Sequence, residues 1–197
     1  MPPVPQKAQD DNKLHEPGAH VKGTVSTDAG SMFLWDVESF RNVSDYDSWS
    51  KELEDEKDIQ RHIEAGRIVP ISWGGDSVAE VVARLGTPSS MSDREKEYVL
   101  VASQPYRFET SGSACISGIE MISGSPTDDI LAFELQPHSY TVWLHMIAWM
   151  DEPGAENPDG SPSASALPDF IVCIEAPQPD LTYRTELQPY RQEDAQR

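Results

Sequence analysis

The stretch Tyr140-Thr141-Val142-Trp143-Leu144-His145-Met146-Ile147-Ala148-Trp149-Met150 decides the fold. In an extended chain, side chains alternate between two faces. Tyr140, Val142, Leu144, Met146, Ala148 and Met150 then share one side, and Thr141, Trp143, His145, Ile147 and Trp149 share the other. Both sides are largely apolar, which predicts a central strand covered on each face. Downstream, Phe170-Ile171-Val172-Cys173-Ile174-Glu175 is a second strand-like run. Upstream, runs at 67–72, 98–103, 106–109, 114–122 and 130–135 are punctuated by Gly, Ser, Pro and Asp turns. Pro70 suits an edge strand, and a further short run spans residues 32–37.

Before Gly66 the period changes. Trp49, Leu53, Ile59 and Ile63 fall within roughly one third of a helical wheel, so one amphipathic helix is expected from about 48 to 65, stopped by Gly66. Ser92-Asp93-Arg94-Glu95 has the form of a capping box and predicts a short helix through Glu97, while residues 77–85 fit helix or strand equally. The fold class is α+β, a mainly antiparallel β-sandwich or open barrel packed by an N-terminal amphipathic helix. A chain of 197 residues supports one such domain, placed at 30–176, with weakly ordered Pro-rich tails at 1–29 and 177–197.

Charge sets the functional expectation. Lys and Arg number 15 against 34 Asp and Glu, a formal net charge of −19, and no Lys or Arg lies between Arg107 and Arg184. A surface of that sign repels nucleic acid and anionic membranes and attracts a basic protein partner. Residues in turns keep their carboxylates exposed, so Asp128, Asp129, Asp151, Glu152, Glu156 and Asp159 are the candidate partner-binding residues. Solubility alone is the plainer reading of the same acidity.

Motifs for chemistry are absent. There is no Gly-x-Gly-x-x-Gly after a strand, no phosphate loop, no Gly-x-Ser-x-Gly and no His-Glu-x-x-His, and the five histidines have no metal-ligand spacing. No catalytic residue, metal site or cofactor is therefore expected, and no hydrolase or nucleotide-dependent turnover. The loop 151–160 carries enough oxygen ligands for a hard cation but matches no calcium-loop pattern; it reads as a solvated connection, with cation or partner binding as the alternative. Trp143, His145 and Trp149 read as a second packing layer against the N-terminal helix, or alternatively as a ligand groove that would suit a small-ligand binder or an enzyme. Cys115 and Cys173 sit in apolar runs, as reduced cysteines do, and no apolar signal-like segment appears in the first 30 residues. A cytoplasmic protein is the expectation.

Four segments carry a resemblance: Leu100-Val101-Ala102-Ser103-Gln104-Pro105-Tyr106, Ser117-Gly118-Ile119-Glu120, Leu135-Gln136-Pro137-His138-Ser139-Tyr140 and Leu167-Pro168-Asp169-Phe170. They resemble uncharacterised bacterial β-rich proteins, and the layout is similar to the acidic β-sandwich inhibitors of the competence protein J family, with a Pro-x-x-Tyr turn leading into a long strand. The resemblance implies an inhibitor or immunity protein that blocks a toxin or nuclease, and it transfers no functional residue.

Overall fold

The computed structural model describes residues 13–190, leaving the outer parts of both expected tails, 1–12 and 191–197, outside the described residues. Its strands are β1 (Lys13–Leu14), β2 (His20–Thr27), β3 (Ser31–Asp36), β4 (Ile68–Trp73), β5 (Ser77–Leu85), β6 (Val99–Ala102), β7 (Tyr106–Thr110), β8 (Ser113–Gly118), β9 (Leu131–Leu135), β10 (His138–Ile147) and β11 (Phe170–Glu175). The helices are α1 (Tyr46–Leu53), α2 (Glu56–Glu64) and α3 (Asp93–Glu97). One sheet runs β1-β9-β8-β3-β4; the other runs β2-β5-β11-β10-β6, with β7 also on β10. The molecule is an α+β fold of two sandwich-like sheets, not a closed barrel. Most pairings are antiparallel, but β1–β9 and β5–β11 are parallel.

The long strand β10 sits inside its sheet as its two apolar faces require. Trp143, Leu144 and His145 pair with Cys173, Val172 and Ile171 of β11. On its other edge, β7 covers residues 138–142 and β6 covers 145–147. Ser103 bridges the two short strands, its N–H donating to Leu144 O at 2.8 Å and its hydroxyl accepting from Leu144 N–H at 3.1 Å. Val142 and Leu144 are wholly buried in the main core with Val172 and Ile174. Tyr140 closes the Pro137 turn by donating its hydroxyl to Gln136 O at 2.9 Å, a local staple at the start of the strand.

Trp143, His145, Ile147 and Trp149 face a second, smaller core with Met91, Val99, Leu167, Ile171 and Cys173. That layer is built by the α3 region and the 149–169 connection, not by the N-terminal helices as expected. The helices instead cover the outer face of the first sheet: Trp35 meets Phe40 edge-on at 6.1 Å, and Phe40 meets His62 of α2 at 4.9 Å. Leu53, Ile59 and Ile63 are buried in the main core, as the wheel requires.

Three expectations change on the backbone. The single helix is two, because Asp55 adopts an extended conformation and starts α2 as a fresh helix. The strand at 140–150 ends at Ile147, so Trp149 and Met150 lie in a 3-10 turn and Met150 is exposed. Residues 13–27, placed in a weakly ordered tail, include β1 and β2, with Val21 and Val25 in the core. Gly23 permits that packing, since a Cβ there would stand 3.0 Å from Leu131 Cδ1. The C-terminal stretch has no regular structure through Tyr190 yet is tied down: Arg184 N–H donates to Pro105 O at 2.8 Å, and the Tyr106 hydroxyl to Glu186 O at 2.8 Å.

Candidate functional site

The exposed turns at one end of the sandwich form the candidate site. Leu131, the first residue of β9, packs at Gly23, and Gly23 shares a row with Val81 and Phe170 through β2–β5–β11 pairing. The turn holding Asp128 and Asp129 and the connection holding Asp151, Glu152, Glu156 and Asp159 therefore both lie toward the end where β9 and β11 begin. Asp28 and Asp76 flank the Thr27–Ser77 pair at the same end.

The six predicted carboxylates divide by their partners. Asp128 and Asp129 are exposed, as are Asp151, Glu156 and Asp159. Asp159 accepts from the N–H and hydroxyl of Ser161, which hold its carboxyl below its ordinary value. Glu152 is different: its carboxylate grips Arg94 through two hydrogen bonds, and that pairing lowers its pKa. Arg94 also donates to Ser165 O at 2.6 Å, so this ion pair pins α3 to the 149–169 connection. Glu152 is thus a strut of the loop. The loop carboxylates do not converge; among the described residues no three His, Cys, Asp or Glu side chains gather as a metal site would need.

Cations are mostly consumed locally. Lys13, Lys22, Arg41, Lys57, Arg61, Arg84, Arg94, Arg107 and Arg184 each stand within ion-pair distance of a carboxylate. Arg84 and Glu95 form the best shielded of these pairs, a fork at 2.8 and 3.1 Å. Burial raises the Glu95 pKa, yet the Arg84 hydrogen bonds and the Ser92 N–H outweigh it and leave the carboxyl below its ordinary value.

Trp143 donates to Glu175 and Trp149 to Asp169, the latter at 2.8 Å, and His145 is buried with Nδ1 unpartnered. Burial pushes the His145 pKa down, against a backbone hydrogen bond at Ile171 and the charge of Glu95. Burial also pushes the Cys115 and Cys173 thiols up to about 12, so neither is a ready nucleophile.

Sequence reasoning missed two places. An open depression of about 800 Å³ lies between α1 and the paired ends of β7 and β10, bordered by Asp36, Lys51, Glu52, Arg67 and His138. Its buried carboxylate, Asp36, is occupied: Oδ1 accepts from Thr110, Ser111 N–H and the Ser111 hydroxyl, and Oδ2 from the N–H and hydroxyl of Ser39. It ties β3 to the opposite sheet. The second place is an apolar groove of about 400 Å³ between α1 and the segment after β8, with Tyr46, Trp49, Glu120 and Ile122 on its walls. Tyr46 lay unmarked in the sequence because its exposure depends on where α1 docks.

Among the described residues, no helix is long and apolar enough to cross a membrane. No family model and no curated protein matches the chain. It is similar in structure to a protein described as crocagin biosynthetic gene J, with a TM-score of 0.49 and 15% identity over 81% of this chain and 97% of that one. It is also similar to ComJ from Bacillus subtilis, described as an inhibitor of the DNA-degrading activity of NucA, with a TM-score of 0.45 and 12% identity over 79% of this chain and 95% of that one.

Proposed function

We propose that the chain is an acidic binding protein that docks on the basic surface of a protein partner, in the manner of a nuclease or toxin inhibitor. One observation carries this reading: cations are largely spent in local ion pairs, while Asp128, Asp129, Asp151, Glu156 and Asp159 stand exposed toward one end. An enzyme that handles a phosphodiester backbone offers a cationic cleft. Exposed carboxylates on an acidic surface can occupy such a cleft in place of phosphates. The nuclease class is what the sequence resemblance to competence protein J inhibitors implies. Steering of this kind acts on the association rate and is screened over about 8 Å at physiological salt.

The test uses basic DNA-degrading nucleases with the full chain and a variant carrying Asp128→Asn, Asp129→Asn, Asp151→Asn, Glu156→Gln and Asp159→Asn, with Glu152 kept to preserve the Arg94 strut. The wild type should slow DNA degradation, and its association rate should fall about tenfold or more in the variant or when salt is raised. Inhibition indifferent to both changes rejects the electrostatic reading, and absence of inhibition across the panel rejects the inhibitor class.

A further inference from the structure

The groove beside α1 has features that the exposed turns lack. Tyr46 is 68% exposed, a large aromatic ring left in water, and it stacks on Trp49 at 6.0 Å with the planes 23° apart. The Trp49 indole is fixed because its N–H donates to Ile119 O at 2.9 Å. Val43 and Ile122 complete an apolar floor. The rim is anionic and equally fixed. Glu120 accepts from the Thr27 hydroxyl at 3.1 Å and from Asp28 N–H at 2.9 Å. Asp45 accepts from the N–H and hydroxyl of Ser48 at 2.8 and 2.6 Å, hydrogen bonds that keep its carboxyl below the ordinary value. No Lys or Arg lines the groove, and its bond to Asp28 places Glu120 at the acidic end of the sandwich.

We propose that this groove receives an arginine side chain of the basic partner, its guanidinium stacked on Tyr46 and Trp49 and its charge met by Asp45 and Glu120. The inference rests on the acidic-binding reading and names the anchor within it. A planar cation that is weakly hydrated suits an aromatic wall better than a compact ammonium does. Exposed aromatics in desolvated pockets also carry a disproportionate share of interface energy, whereas rim charges mainly set the encounter rate. The groove would therefore govern residence time and the turn carboxylates arrival.

The experiment is a titration of the full ¹⁵N-labelled chain at low salt with an acetylated, amidated Gly-Arg-Gly-Arg-Gly peptide, and with the same peptide carrying neutral citrulline for arginine. Trp49→Phe identifies the Trp49 indole N–H signal. That signal should move saturably with the arginine peptide and not with the citrulline one. Tyr46→Ala should weaken binding about fivefold while Tyr46→Phe leaves it within twofold, and the exposure of Tyr46 keeps both variants folded. Equal response to the two peptides overturns the proposal. Shifts confined to residues 128–129 and 151–159, with the Trp49 signal unmoved, overturn the groove and leave the acidic-surface reading standing. No shift anywhere overturns both.

Discussion

At the scale of single residues, the buried histidine His145 makes the clearest prediction. Burial holds its pKa below the ordinary value near 6.5. On acidification the unfolded chain therefore takes up a proton that the folded chain refuses, and stability declines as pH falls through about 6.5 until the folded ring also protonates. The thermal midpoint should drop between pH 7 and pH 5. His145→Leu should shrink that drop even if it lowers the midpoint at pH 7, and parallel curves for the two proteins would show that His145 is not the titrating group. His62 adds to the same slope, since burial lowers its pKa against the opposing effect of Glu52. Alternation alone placed His145 and Trp143 on a common face of an internal strand, and the structure agrees. Which elements cover that face lay beyond a local pattern, because Met91 and Leu167 reach it from separate segments, one well before the strand and one after it.

At the scale of elements, α3 is five residues long and too short to persist by its own hydrogen bonds. Its stability comes from Glu95, which closes the capping box with Ser92 and also forks onto Arg84 of β5. Glu95→Ala should cost about 2–4 kcal/mol by chemical unfolding, because it removes a cap and strands a shielded guanidinium. Glu95→Gln, which can still cap, should cost less. Equal losses would mean that the cap contributes nothing beyond the charge of Glu95 opposite Arg84. The capping box was readable in four consecutive residues, whereas its partner Arg84 lay in a run whose periodicity did not separate helix from strand. The wheel through Trp49 and Ile63 was likewise correct in its face and wrong in its continuity. Apolar spacing survives a short break such as that at Asp55, so it cannot report one.

At the scale of the whole molecule, the chain carries a net charge of −19. Self-repulsion of that size opposes folding, and salt relieves it. The thermal midpoint should rise by several degrees between about 20 and 300 mM sodium chloride, with each 1 kcal/mol corresponding to roughly 2–4 °C for a chain of this length. A falling midpoint would show that the ion pairs such as Arg94–Glu152 outweigh the repulsion. The acidic bias was fully legible in composition, but the groove at Tyr46 and the loss of Glu152 to Arg94 were not, since both depend on segments far apart in the chain. Strand β2 escaped notice for a related reason: its inward positions are Val21, Gly23, Val25 and Thr27, so the apolar signal is broken by a glycine against which Leu131 packs. The sheet order carries one more consequence. The strand β11, the last among the described residues, lies between β5 and β10. During synthesis both of those neighbours emerge with an unpaired edge, and neither edge is covered until residues 170–175 have left the ribosome. The two halves of the second sheet join only when β11 enters between them, so any product truncated before Phe170 keeps two open β edges, on β5 and β10, free to seek other strands.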